Sequence, residues 1–293
     1  MDLPSITHFL NALLMIALPI LLGIYLVNRL NGGWRVWGIG ACIFIISQVF
    51  HIPFNQFLLN PFLNKLPQII PGIKGLLLIA ILLGLSAGIF EETARYLMFS
   101  WWLKDKRTWG VGILAGAGHG GIEAILLGIL VLLGYFNMVA YRNVDLSRFY
   151  SSLNQLQIAT QQLQGYWDAP WYANLMGAVE RMFTIPFHIA ASVLVLQVFT
   201  RRHGQQRIAW LGLAILYHAF VDASAYFVFR QWGVYPSEAL LGILAVVAVI
   251  IIFVLRQPEP PPLVPELPAS EKPVFTPTSI EETSENLDNT RYQ

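Results

Sequence analysis

Charged residues and cysteine are scarce in this 293-residue chain, in which Asp, Glu, Lys and Arg together make up 12%. Hydrophobic residues make up 56% and the mean hydropathy is +0.57, which is too apolar for a water-soluble domain of this length. The formal net charge of +1 gives no general basic surface, so nucleic acid is excluded as a partner. The composition is typical of a polytopic membrane protein surrounded by a lipid bilayer.

Cysteine occurs once, at Cys42, which excludes an internal disulfide and any zinc site built from several cysteines. We identify no serine nucleophile elbow, and Cys42 lies apart from any evident activating base. Covalent catalysis is therefore disfavoured.

The apolar stretches predict an all-α bundle of about seven transmembrane spans, since about 20 apolar residues cross the hydrocarbon as a helix. We place the spans near residues 8–28, 34–57, 74–99, 110–135, 176–199, 207–229 and 236–255. The connection between the second and third spans, through Pro61, Lys65, Pro67 and Pro71, predicts a loop because proline interrupts regular structure. Residues 1–256 form one predicted membrane domain.

Lys and Arg residues concentrate on alternate connections, which predicts that the N-terminus lies outside and the C-terminus in the cytoplasm. Residues 141–170 are polar, with apolar residues at near-helical spacing, and predict an amphipathic helix on the outer surface. Residues 257–293 are rich in proline and then acidic. Because such a segment buries too little apolar area to offset its ordering entropy, we predict a disordered cytoplasmic tail.

Three charged residues, Glu91, Glu92 and Arg95, interrupt the third span. An ionised side chain costs about 2.5–3.5 kcal/mol at the centre of a bilayer on insertion scales, so we expect partners in other spans. The candidate partners are His119, Glu123, Glu180, Arg181, His188, His218 and Asp222. Residues four apart, such as His119 and Glu123, share a helix face. We predict that these stripes meet at one polar, water-reachable site.

The glycines around His119 indicate that either another helix or a substrate approaches its backbone closely. These glycines are Gly116, Gly118, Gly120 and Gly121. A missing side chain permits both kinds of contact, so the sequence leaves the two open.

The residue types at this predicted site are suited to hydrolysis. A carboxylate can take a proton from water, while histidines orient the water or donate to a developing oxyanion. We expect no cofactor, because the chain contains no H-E-x-x-H run. Zinc is kept as an alternative, with His119, His188 and His218 as its ligands.

The ordered motifs resemble those of the glutamic-type intramembrane proteases. That superfamily contains the CAAX-processing and bacteriocin-processing membrane endopeptidases, and the resemblance is nearest to its YhfC-like and PrsW-like members. The resemblance spans roughly residues 90 to 225. Its motifs are EETAR at 91–95, GHGGIEA at 118–124, ER at 180–181 with FHIAAS at 187–192, and YHAFVD at 217–222. The chain departs from the CAAX-type pattern in the position of Arg95, in Ala115 where Phe is expected, and in Asp222 where Asn is common.

The resemblance implies a membrane endopeptidase with Glu91 or Glu92 as base, His119 as its partner, and His218 with Asp222 as orienting residues. The supporting residues are Arg95, Glu123, Glu180, Arg181 and His188. It also implies a membrane-embedded or membrane-associated peptide substrate and a location in a bacterial cytoplasmic membrane. A proton-coupled transporter or channel needs similar buried residues, so it stays open as an alternative, as does a relative that has lost activity.

Overall fold

The structure, a computed structural model, describes residues 2–30, 32–201 and 206–258. Regular structure within these residues is helical. Seven helices of the described chain are long and apolar enough to cross a membrane, which confirms the predicted all-α bundle of about seven spans. Most of the predicted tail, residues 259–293, lies outside the described part.

The long helices are numbered in chain order. They are α1 (Leu3–Arg29), α2 (Gly33–Phe54), α3 (Ile73–Leu97), α4 (Trp109–Tyr141), α5 (Leu153–Asp168), α6 (Met176–Thr200), α7 (Gln206–Trp232) and α8 (Val234–Val254). Side-chain caps define the start of two of them: Asp2 accepts from the Ser5 backbone N–H at 3.2 Å, and Thr108 accepts from that of Val111 at 3.3 Å. The helix α5 lies within the polar insert, and the other seven are the membrane-crossing candidates.

The loop predicted between the second and third spans is wrong, because that connection is largely helical. It contains a π-helix (Asn55–Leu59) and two short α-helices (Asn60–Leu63 and Leu66–Ile69). Pro61 and Pro67 each lie in the first turn of a short helix, where a missing backbone N–H costs no hydrogen bond.

The most buried span is α6: 72% of its most apolar window is buried, compared with 17–39% in the other spans. It packs against α4, α7 and α8, while α3 packs along α7, and α4 also contacts α1 and α2. The polar residues of α3, α4 and α7 consequently face α6 from several sides.

Close helix crossings account for the glycines around His119. A Cβ at Gly116 would lie 2.6 Å from the Ile189 Cα, and one at Gly120 would lie 2.9 Å from the His188 Cβ, both on α6. On the opposite side of α4, a Cβ at Gly118 would overlap the backbone oxygen of Trp37. The glycines therefore allow α4 to fit between α2 and α6.

A polar cluster at the end of the bundle anchors α5 beside α1. Arg142 forms an ion pair with Asp2, and its guanidinium lies 4.0 Å from the centroid of the Trp167 ring. The hydrogen bond from Arg142 lowers the pKa of Asp2 below its ordinary value. His8 stacks on Tyr166 with ring centroids 3.8 Å apart.

Candidate active site

The three charged residues of α3 lie in the interior of the bundle. Glu91 is 6% exposed, and Glu92 and Arg95 are fully buried. Arg95 forms an ion pair with Glu92, and its Nη2 lies 3.7 Å from Oε2 of Glu91. The single positive charge of Arg95 is therefore shared by two carboxylates. The remaining negative charge must be balanced by residues of other helices.

Histidines from α4 and α7 approach these carboxylates. His119 Nε2 lies 2.9 Å from Glu91 Oε2, and His218 Nδ1 lies 2.6 Å from Glu92 Oε1. The other ring nitrogen of His218 lies 3.4 Å from Asp222 Oδ2 and 3.9 Å from Glu91 Oε2. His218 is thus surrounded by three carboxylates.

A second set of contacts extends outward along α6. Arg95 Nη2 donates to His188 Nδ1 at 2.8 Å, and His188 Nε2 lies 2.6 Å from Glu123 Oε2. Arg181 donates to Glu123 Oε1 at 2.7 Å and also pairs with Glu180. The structure therefore joins all the predicted site residues in one continuous network.

Within the described residues, Glu91, His119 and His188 form a group that could hold a metal ion. Their ligand atoms lie within 4.8 Å of one another, and all three side chains are buried. His218, which was expected as the third zinc ligand, is not in this group, and Glu91 takes its place. The sequence could not choose between them, because the rotation of each helix decides which side chain converges.

The donor set fits a catalytic zinc ion. Two imidazoles and one carboxylate are a common ligand set for catalytic zinc, with a fourth position left for water or substrate. His119 belongs to this group, and its buried Nδ1 has no hydrogen-bond partner in the described chain. This nitrogen is therefore free to bind a metal ion. The second ring nitrogen of His188 is held by Glu123, as is usual for a histidine ligand.

A cleft of about 670 Å³ between α2 and α4 reaches Glu91, the one member of this group that lines it. Its floor includes Glu91, Glu123 and Asp222. Its wall includes Val49, whose side chain is 61% exposed, and Leu126, which is 40% exposed. The wall of the cleft is therefore apolar and lies on the exposed surface of two helices that are long and apolar enough to cross a membrane.

Gln48 and His51 of α2 lie at the candidate site, although neither was among the site residues predicted from the sequence. Both line the cleft, and Gln48 Nε2 donates to Glu91 Oε1 at 3.0 Å. His51 Nε2 contacts Ser86 Oγ at 3.0 Å and Asn55 Nδ2 at 2.9 Å. The only available signal was a pair of polar residues three apart in an otherwise apolar span.

Ser86 also belongs to GLSAG at 84–88, which has the letters of a nucleophile elbow that we did not identify from the sequence. In the structure these residues lie inside α3, whereas the elbow is a turn from a strand to a helix. Ser86 Oγ donates to Asn55 Oδ1 at 2.7 Å, so its proton is not directed at His51. The geometry gives Ser86 a structural role.

The amino-acid sequence of the chain is similar to one protein family and to one curated protein. A family model described as YhfC intramembrane metalloprotease matches residues 14–251. The chain is 29% identical over 239 residues to the uncharacterized membrane protein YhfC of Bacillus subtilis (strain 168), covering 80% of this chain and 88% of that protein. No solved structure matches the chain.

The expectation that no cofactor is needed is wrong. The matching family model describes metalloproteases, and the structure groups Glu91, His119 and His188 as metal donors. The sequence argument relied on the missing H-E-x-x-H run. Here the donors come from three different helices, so no local run of residues could reveal them.

Proposed function

The chain belongs to the YhfC intramembrane metalloprotease family, and from that premise we propose that it hydrolyses a peptide bond of a membrane-inserted polypeptide at Glu91, His119 and His188. The observation that carries this proposal is a buried metal-donor group whose Glu91 also lines a cleft with an apolar, exposed wall. A protease needs both, whereas neither feature alone would distinguish it from a structural metal site.

Glu91, His119 and His188 would hold the metal ion, and zinc suits this donor set best. A zinc ion bound there supplies a Lewis acid that polarises the scissile carbonyl and lowers the pKa of water toward 7. The neighbouring side chains keep the donors in position. Gln48 holds Glu91 Oε1, and Glu123 accepts from His188 Nε2.

The geometry favours Glu91 over Glu92 as the carboxylate that contacts the reacting water. Glu91 lines the cleft, whereas Glu92 is fully buried and pairs with Arg95 and His218. In this proposal Glu92 orients His218 by accepting from its Nδ1. In this proposal the ring is protonated on both nitrogens, as an imidazolium among three carboxylates, so its Nε2–H faces Asp222 and Glu91 and can donate to the oxygen that becomes negative during attack.

Asp222 is the carboxylate best placed to pass a proton to bulk water. Its side chain is 39% exposed, and its Oδ2 lies 3.4 Å from His218 Nε2. A proton held at Nε2 can therefore leave through Asp222 without crossing the apolar wall of the cleft.

The substrate in this proposal is a polypeptide segment that is extended when it enters the cleft. A transmembrane helix satisfies its backbone groups internally, so it must unwind before a peptide bond can be attacked. Gln48 and His51 on the cleft wall offer polar partners to the freed backbone groups.

We further propose that the arrangement of these site residues is shared with the CAAX-processing and PrsW-like relatives. EETAR, His119 and YHAFVD meet at one site in this chain, as their ordered resemblance to that superfamily implies. In this chain Glu91, the glutamate of the first motif that lines the cleft, would also be one of the residues that hold the metal ion.

The test is cleavage of a fluorogenic transmembrane-peptide library in liposomes by the purified protein and by Glu91→Gln and Asp105→Asn variants. We expect wild type and Asp105→Asn to cleave equally, because Asp105 lies outside the site in the turn before α4. Glu91→Gln should lose at least 100-fold in rate. Equal cleavage by all three proteins would contradict the proposal.

A further inference from the structure

We propose that water reaches the site through its own polar shaft between α6, α7 and α8, separate from the cleft between α2 and α4. The use of this water as a reactant rests on the proposed function. The existence of the water route does not, and it can be tested without any cleavage.

A polar stripe on α6 runs from the start of the helix to the metal-donor group. Glu180, Thr184 and His188 are spaced four residues apart and so share one helix face. With a rise of about 1.5 Å per residue, Glu180 lies roughly 6 Å and His188 roughly 18 Å from the start of α6. The stripe therefore extends from the first turns of α6 to His188, the distance along α6 that a water molecule would travel to reach the site.

A cavity of about 130 Å³ lies along this stripe. Glu180, Arg181 and Thr184 line its outer part, and Glu91 and His218 line its inner part. Ala225 of α7 and Leu241 of α8 complete the wall. At about 30 Å³ per water molecule, the cavity has room for about four of them.

One buried polar atom of the cavity lining, Nε of Arg181, has no hydrogen-bond partner within the described residues. Buried polar atoms without a protein partner are the usual positions of ordered water. Arg181 Nε therefore marks a binding position for water in the outer part of the shaft.

A separate entry for water also follows from the shape of the site. A substrate segment that occupies the cleft would cover its apolar wall and block that side to water. The two cavities share Glu91, Glu123 and Asp222, but the other walls of the shaft come from α6, α7 and α8. In this proposal the shaft therefore stays open while the cleft is filled. The reaction consumes one water molecule for each bond cleaved, and the shaft can replace it.

Cysteine labelling tests the route, because Cys42 is the chain's only cysteine and can be replaced by alanine. Single cysteines are placed at Thr184, in the shaft, and at Met182, a 56% exposed residue two positions away on the outside of α6. The protein is reconstituted in phosphatidylethanolamine and phosphatidylglycerol liposomes. It is treated on both sides with the cationic thiol reagent MTSET, which reacts with a hydrated thiolate.

We expect Thr184→Cys to react at least 10-fold faster than Met182→Cys. Adding Ala225→Leu, or the smaller obstruction Leu241→Phe, should slow labelling at position 184 at least 10-fold while zinc content stays unchanged. Equal labelling at positions 182 and 184 would overturn the proposal. So would undiminished labelling in both obstructed variants. Rapid labelling without any peptide cleavage by wild type would leave the route established and refute the protease function alone.

Discussion

His188 Nε2 lies 2.6 Å from Glu123 Oε2. Because Arg95 donates to the other ring nitrogen, Nε2 must carry the proton that Glu123 accepts. Glu123 thereby fixes the tautomer and leaves Nδ1 as the nitrogen with a lone pair for a metal ion. Arg95 faces that nitrogen in this structure, so a bound metal ion and the Arg95 guanidinium compete for it.

Replacing Glu123 should weaken metal binding. We expect Glu123→Ala to lower zinc affinity 10- to 100-fold, the usual effect of losing the carboxylate behind a histidine ligand. Competition with a fluorescent zinc chelator measures it. Glu180→Ala is the control, since Glu180 also pairs with Arg181 but does not touch His188. Equal affinities in the two variants would show that Glu123 does not orient His188.

The two glutamates of α3 should have different roles: Glu92 should stabilise the fold, and Glu91 should bind zinc. Glu92→Gln should destabilise the fold by about 3–5 kcal/mol, because it leaves buried Arg95 without its closest carboxylate. Glu91→Gln should change thermal stability much less and reduce bound zinc. Thermal unfolding in detergent and metal analysis of the same samples separate the two effects. A stable Glu92→Gln protein that has lost its zinc would reverse the assignment.

Variants of His218 and His119 should differ in zinc content and in kcat. We expect His119→Ala to lose zinc, whereas His218→Gln should retain it and lose about 10²-fold to 10⁴-fold in kcat, the range for proton transfer and oxyanion donors. Steady-state kinetics on the peptide library, with zinc measured in parallel, distinguishes them. Loss of zinc in both variants would place His218 among the ligands.

The crossing of α2 and α4 depends on Gly118. A Cβ at this position overlaps the backbone oxygen of Trp37, so Gly118→Ala should destabilise the protein by about 1–3 kcal/mol. Gly134 lies on the same helix, and a Cβ added there would meet no other atom within 4 Å, so Gly134→Ala should be neutral or slightly stabilising. Thermal unfolding of the two variants tests this, and equal effects would contradict the packing described.

The sequence predicted the spans from the length of their apolar stretches and the convergence of their polar residues from the cost of buried charge. Ionised groups are too costly in lipid to remain unpaired, so Glu91 and Arg95 required partners on other helices. Their exact pairing depends on the rotation of each helix, which hydropathy does not encode. Hydropathy therefore could not choose between Glu91 and Glu92, nor group Glu91 rather than His218 with His119 and His188.

Three other features could not be predicted from the sequence: the place of Gln48 and His51 at the site, the helical connection between the second and third spans, and the set of metal donors. Gln48 and His51 lie near the end of a span, where polar residues are ordinary. Pro61 and Pro67 suggested a loop, yet each fits the first turn of a short helix. The metal donors come from α3, α4 and α6, so no spacing along the chain could identify them as a set.

The most direct test of the central claim is zinc stoichiometry measured together with cleavage in one preparation. Mass-spectrometric metal analysis of wild type should give one zinc per chain, and chelation should abolish cleavage that added zinc then restores. A variant carrying Glu91→Gln, His119→Ala and His188→Ala should hold no zinc and cleave nothing. Full cleavage by zinc-free wild type, or one zinc per chain in the triple variant, would contradict the account.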